Sequence, residues 1–193
     1  MVILVTGGAR SGKSSFAEQY AAHLGSNGIY VATAQVLDEE MSVRTTRHQA
    51  RREISGFSWE TIEEPYDLCG VLNARLQKNE PTHPIILVDC LTLWLSNWLI
   101  HYEQEADPES HVLSRLNLLI AALSATMSHI ILVTNEVGDS VVPEYQLGRV
   151  FRDLAGIMNQ RLARISDQVF LVTAGIAIEL KSKQFHFSSD GNR

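Results

Sequence analysis

Short runs of apolar and β-branched residues alternate along this chain with longer segments whose apolar positions recur every three or four residues. That alternation is the pattern of βα units wound around a parallel sheet. It predicts strands at Val2–Thr6, Gly28–Ala32, Ser58–Glu63, Pro84–Asp89, His129–Thr134 and Gln168–Ala174. Several are near-continuous apolar runs, as expected for strands covered on both faces. Helices are predicted at Lys13–Leu24, Asp38–Arg52, Pro65–Lys78, Leu91–Tyr102, Glu109–Met127 and Tyr145–Ile165. The clearest helix start is Asp107-Pro108-Glu109, where a capping residue precedes a proline in the first turn and an acid follows. After Gly175, Ile176–Leu180 can add a last, edge strand. Trp94 and Trp98, four apart beside Leu91 and Leu95, read as helix packing. With no internal repeat and no low-complexity linker, one domain over residues 1–181 is expected, followed by a polar, frayed tail at residues 182–193.

Composition narrows the class. The 193 residues suffice for one α/β domain and are short for two. Lys plus Arg number 16 against 22 Asp plus Glu, a net charge of −6 that disfavours nonspecific nucleic-acid binding but leaves room for a small anionic ligand. Cys69 and Cys90 have no CxxC spacing, so neither a zinc site nor a disulfide framework is expected, and a reducing compartment is the simplest reading. The opening MVILVTGG has no basic n-region, and the apolar stretch Leu91–Ile100 is broken by Thr92, Ser96 and Asn97. A cytoplasmic protein with no membrane span is therefore expected.

The chemistry begins where the first strand ends. Gly7-Gly8-Ala9-Arg10-Ser11-Gly12-Lys13-Ser14 satisfies G-x-x-x-x-G-K-S, with a strand before it and an amphipathic helix after it. The glycines let successive backbone N–H groups turn towards phosphate oxygens, and the helix adds its unpaired N–H groups and positive pole. Lys13 can reach the β- and γ-phosphates, and the Ser14 hydroxyl is placed for Mg²⁺. A P-loop site also needs a carboxylate at the end of a neighbouring strand, and Asp89, closing Pro84–Val88, supplies it; capping the helix that follows is a compatible second role, and the P-loop favours the metal one. The expected fold is a three-layer P-loop NTPase-like α/β fold with a mostly parallel central sheet and room for one antiparallel edge strand.

Three function classes compete: a signalling GTPase, a small-molecule kinase, and a nucleotide-gated binding module without turnover. The segment Val133-Thr134-Asn135-Glu136-Val137-Gly138 lacks the Asn-Lys-x-Asp that reads guanine in Ras-type switches. Asn135 and Glu136 follow a strand, where open α/β sheets place ligand groups, but they suit an ordinary turn equally well. At helical spacing Arg44, His48, Arg51 and Arg52 share one face. A solvated charged helix accounts for them; a neutral imidazole among guanidiniums is also what attack on a phosphate requires. The other histidines show no HxxxH or HExxH spacing.

These residues carry a resemblance. GGARSGKS, YVATAQVLDEEM followed by R-x-x-R-H, ILVDC, LVTNEVGDSVVPE and GRVFRDLAGIMNQRLA run in order from Met1 to about Lys181. Together they resemble the bifunctional adenosylcobinamide kinase/adenosylcobinamide-phosphate guanylyltransferase family. The resemblance implies phosphorylation of the aminopropanol hydroxyl of adenosylcobinamide by ATP or GTP, then transfer of GMP from GTP to adenosylcobinamide phosphate. It implies a GMP-histidine intermediate at His48, and nucleotide contacts at Gly7 to Ser14, at Ala32, Thr33 and Ala34, at Gln49, Ala50, Arg51 and Arg52, and at Glu63 and Asp89. The family's strand-end acid is commonly Glu where this chain has Asp89, one methylene shorter. A homotrimer is also implied. A kinase for another hydroxylated metabolite, with His48 merely structural, is the alternative.

Overall fold

The strands form because each apolar run can bury alternate side chains against helices on opposite faces. A computed structural model describes residues 1–35, 56–76 and 84–186. The strands are β1 (Val2–Thr6), β2 (Asn27–Ala32), β3 (Ser58–Glu63), β4 (Ile85–Asp89), β5 (Ile130–Val133), β6 (Gln168–Thr173) and β7 (Ile176–Glu179). The helices are α1 (Lys13–Leu24), α2 (Leu68–Leu76), α3 (Leu91–His101), α4 (Pro108–Ser124) and α5 (Gln146–Ile165). Val2 and Leu4 of β1 face one apolar cluster with α2, α3, α4 and α5, whereas Ile3 and Val5 face another with Ala17 and Ala21 of α1. The same alternation separates Ile86 and Val88 from Ile85 and Leu87, and Ile130 and Leu132 from Ile131 and Val133. The result is an α/β/α sandwich, as the sequence pattern predicts.

Strand order is β3-β2-β4-β5-β1-β6-β7, parallel throughout except for β7, which returns antiparallel along β6. Ala174 and Gly175, with φ of 51° and 79°, make the tight turn between those two strands. The optional edge strand of the sequence reading is therefore present and antiparallel. Trp94 and Trp98 are buried in the helical layer, their indole N–H groups both donating to the Tyr66 carbonyl. Asp107 caps α4 by accepting the Ser110 N–H at 3.1 Å, with Pro108 opening the helix. The helix expected from Pro65 begins instead at Leu68, because the Glu64 carboxylate takes the N–H groups of Tyr66 and Asp67 and holds a turn there. The predicted helix Asp38–Arg52 and the tail from residue 187 lie outside the described residues.

Glu179 fastens the end of the β6–β7 hairpin. Its carboxylate accepts backbone N–H groups from Val169, Lys181 and Ser182. These bonds, Val169 foremost, hold its pKa down to about 2 from the ordinary 4.5. A carboxylate whose pKa is lower folded than unfolded stabilises the fold above the unfolded value and loses that contribution as pH falls through the folded value. Glu179→Gln is thus expected to be less stable than the parent at pH 7, the gap closing between about pH 4.5 and pH 2. Denaturant midpoints of both proteins across that range check it; a gap that persists unchanged to pH 2 would contradict it.

Candidate active site

β1 ends at Thr6 on the C-terminal edge of the sheet, and the chain turns through residues 7–12 into α1. Gly7 is required by space: a Cβ there would sit 2.3 Å from the Val172 carbonyl oxygen. Gly12, at φ 97°, takes the left-handed conformation at the helix N-cap, and a Cβ would press on Gly175 at 3.3 Å. The loop is closed by Ser11 N–H to the Gly8 carbonyl (3.3 Å) and braced from behind by Gly175 N–H to the Ser11 carbonyl (2.8 Å). The first bond at the helix start runs from Phe16 N–H to the Gly12 carbonyl, so the N–H groups of Lys13, Ser14 and Ser15 have no helical acceptor ahead of them. Lys13 is buried, with Nζ donating to the Gly8 carbonyl at 3.0 Å. Ser11 Oγ is buried and has no hydrogen-bond partner among the described residues. Backbone donors, a helix pole, a buried ammonium and an orphaned hydroxyl all favour an oxyanion. Gly8, Ala9 and Arg10 form the exposed lip of this cradle and Ser14 is half-buried on the first turn of α1.

One correction concerns Asp89. Its strand is not the immediate neighbour of β1, because β5 lies between them. Registers align Val5, Val133, Asp89, Ala32 and Glu63 in one row across the sheet. At roughly 4.8 Å per strand, Asp89 stands about 10 Å from the end of β1 and Glu63 about 19 Å. A βα connection can skip a strand, and sequence pattern alone carries no signal of which strand is inserted. Between those acids sits the Ala32-Thr33-Ala34 segment. Thr33 is fully buried, its hydroxyl donating to the Cys90 carbonyl (2.7 Å) and accepting the Cys90 N–H (2.9 Å). Asn97 Nδ2 donates to the carbonyls of Thr33 and Pro65, tying β2 and the chain after β3 to α3. Asp89 Oδ2 accepts the Tyr30 hydroxyl at 3.0 Å. Glu63 is exposed on the edge strand. Burial, and then the charge of Asp89, pushes the Cys90 thiol up, so it is a packing group and not a nucleophile. His48, Gln49, Ala50, Arg51 and Arg52 lie outside the described residues.

The end of β5 fills the gap between cradle and Asp89 with polar groups. Thr6 Oγ1 donates to Glu136 Oε1 at 2.5 Å, and Asn159 Nδ2 of α5 donates to the same oxygen at 3.1 Å. Asn159 also accepts the Thr134 hydroxyl (2.8 Å) and donates to the Asn135 carbonyl (3.1 Å). Asn135 Nδ2 reaches the Thr92 hydroxyl at 2.8 Å, and the Glu136 N–H bonds the Gly7 carbonyl at 3.2 Å. Sequence reasoning left Asn135 and Glu136 between a turn and a site; the structure sets Glu136 against the P-loop and Asn135 against Thr92 at the start of α3. It missed Thr6, Thr134 and Asn159. A signal existed in the repeated tripeptide Leu-Val-Thr at 4–6, 132–134 and 171–173, and in a polar Asn159 flanked on its helix by Ala155, Met158 and Leu162.

Such a sheet edge suits phosphate chemistry, and the molecule falls in the class of α/β P-loop-like folds. Comparison with known proteins narrows the class. The model of the family described as cobinamide kinase / cobinamide phosphate guanyltransferase (CobU) matches residues 3–180, and the chain belongs to that family. It is 40% identical over 190 residues to the bifunctional adenosylcobalamin biosynthesis protein CobU of Escherichia coli strain K12, covering 94% of this chain and all of that protein. It is 40% identical over 189 residues to CobU of Salmonella typhimurium strain LT2, with 94% and 100% covered. The bifunctional adenosylcobalamin biosynthesis protein CobP of Pseudomonas aeruginosa strain PAO1 is 39% identical over 180 residues, with 93% and 97% covered. Among the described residues, no three His, Cys, Asp or Glu side chains gather to hold a metal, and no helix is long and apolar enough to cross a membrane.

Proposed function

We propose that this chain catalyses two successive reactions at one cradle. The first phosphorylates the aminopropanol hydroxyl of adenosylcobinamide with ATP or GTP. The second transfers GMP from GTP to adenosylcobinamide phosphate, giving adenosylcobinamide-GDP and pyrophosphate. The observation that carries the reading is the oxyanion cradle at Gly7 to Ser14, with buried Lys13 and the orphaned Ser11 hydroxyl, in a chain matched to the family from residue 3 to 180.

In the first reaction the loop N–H groups and Lys13 hold the β- and γ-phosphates in line with the acceptor, and catalysis is mostly orientation and charge neutralisation. In the second, an imidazole nitrogen of His48 attacks the α-phosphorus of GTP, and the bond to the pyrophosphate oxygen breaks with its electron pair leaving on pyrophosphate. An oxygen of the acceptor phosphate then displaces the imidazole, restoring free His48. Lys13 and the loop donors stabilise charge on the leaving pyrophosphate, and Arg51 and Arg52 do so around the attacked phosphorus. Ala32, Thr33, Ala34, Gln49, Ala50 and Glu63 complete the nucleotide site in this reading; the row from Val5 to Glu63 is long enough for an extended nucleotide to lie along it. Ser14 and Asp89 offer the hard oxygen donors Mg²⁺ takes, Asp89 keeping Oδ1 without a hydrogen bond among the described residues, and the bound ion would neutralise phosphate charge. Residues 1–181 act as a single catalytic domain in the cytoplasm, as a homotrimer.

The test follows both products in one vessel. Adenosylcobinamide and ATP should give phosphorylated corrinoid and ADP; added GTP should then give adenosylcobinamide-GDP and pyrophosphate, identified by mass spectrometry. ATP consumption indifferent to adenosylcobinamide would overturn the kinase half, and no GTP-dependent conversion of the phosphate would overturn the other.

A further inference from the structure

The two reactions differ in what their acceptors carry. The first acceptor is a neutral hydroxyl whose proton must go somewhere; the second is a phosphate with an oxyanion ready to attack. A base is useful to one and idle in the other. We infer that Glu136 is that base, taking the acceptor hydroxyl proton during γ-phosphoryl transfer. The inference rests on the kinase reading above and adds a residue to it.

Position comes first. β5 lies between β1 and β4, so the segment that follows it, Thr134 to Glu136, leaves the sheet between the strand that opens the P-loop and the strand that ends in Asp89. Glu136 is fixed there through its backbone, by its N–H on the Gly7 carbonyl. Among the described residues its side chain is held through one oxygen. Oε1 accepts both the Thr6 hydroxyl and Asn159 Nδ2, while Oε2 makes no hydrogen bond among the described residues. The anchors are themselves held in place: Thr6, Thr134 and Asn159 are all buried, and Asn159 is bonded to Thr134 and to the Asn135 carbonyl. A buried polar network is costly unless fully satisfied, and this one is satisfied around a carboxylate with a free oxygen beside the cradle. The two carboxylates of the row from Val5 to Glu63 serve the purpose less well. Asp89 is one strand further from the P-loop and bonded to Tyr30, and Glu63 is exposed on the edge strand.

The step balances without a further reactant. The hydroxyl oxygen forms its bond to the γ-phosphorus as the bond to the β,γ-bridging oxygen breaks, that electron pair leaving on the nucleoside diphosphate. The hydroxyl proton passes to Glu136 Oε2 and from there to water.

Glu136→Gln tests this. The Gln side-chain oxygen can keep the bonds from Thr6 and Asn159, and only the open oxygen is exchanged for an amide. Kinase turnover is expected to fall about 100-fold or more, with the KM for nucleotide within about threefold of the parent. Guanylyl transfer from GTP to pre-formed adenosylcobinamide phosphate should stay within about threefold, and it doubles as the control for folding. Loss of both activities together would overturn the inference in favour of a metal-holding or structural role, and so would an unchanged kinase rate. If the parent protein lacks acceptor-dependent ATP consumption, the kinase reading fails instead, and the two failures are told apart.

Discussion

Lys13→Ala is expected to lower the kinase and the guanylyltransferase together, each by about 100- to 1000-fold in kcat/KM. In the proposed scheme both reactions build negative charge on phosphate oxygens held by the same loop, at the γ-phosphorus in one and at the leaving pyrophosphate in the other. Lys13 Nζ already lies inside that loop, bonded to the Gly8 carbonyl and shielded from water, where its charge acts in a lower dielectric than at a surface. Steady-state rates of each reaction, assayed with its own acceptor, check the result. A variant that loses one activity and keeps the other would mean that the two reactions do not share a cradle.

His48→Ala should do the opposite and separate them. A missing nucleophile is expected to cost guanylyl transfer about 1000-fold or more, while the kinase rate stays within about tenfold, since direct γ-phosphoryl transfer needs no covalent carrier. Imidazole added to the variant should recover part of the transfer by supplying the missing ring. Measuring pyrophosphate release with adenosylcobinamide phosphate, against ADP release with adenosylcobinamide, reads both numbers from one preparation. Equal loss of the two would assign His48 to binding and not to attack.

Local chemistry was what the chain displayed most openly. Val2–Thr6, Ser58–Glu63 and Lys13–Leu24 are strands and helix to the residue, because strand-period and helix-period burial write themselves into nearest neighbours. The phosphate loop was legible for the same reason: glycines, Lys13 and Ser14 are contiguous, and the geometry they need is local. What could not be read was lateral. The insertion of β5 between β1 and β4 joins residues more than 40 positions apart, and the pattern of each strand is indifferent to its neighbour. The bond from Thr6 to Glu136 spans 130 residues, and that from Thr134 to Asn159 spans 25. Each polar group looks like an ordinary strand-end or helix residue until the fold brings its partner. Glu136 is the clearest instance: turn acid and site residue fit its sequence equally well, and only the structure tethers it to the strand that opens the cradle.

The central claim is that a nucleotide held at Gly7 to Ser14 is attacked at its α-phosphorus by His48. Incubation with GTP labelled at the α-phosphate and Mg²⁺, followed by denaturation, tests it most directly. The parent protein should carry the label in an acid-labile, base-stable bond, mapping to the peptide containing His48, and His48→Ala should carry none. Full labelling of His48→Ala, or label stable to acid, would contradict the account.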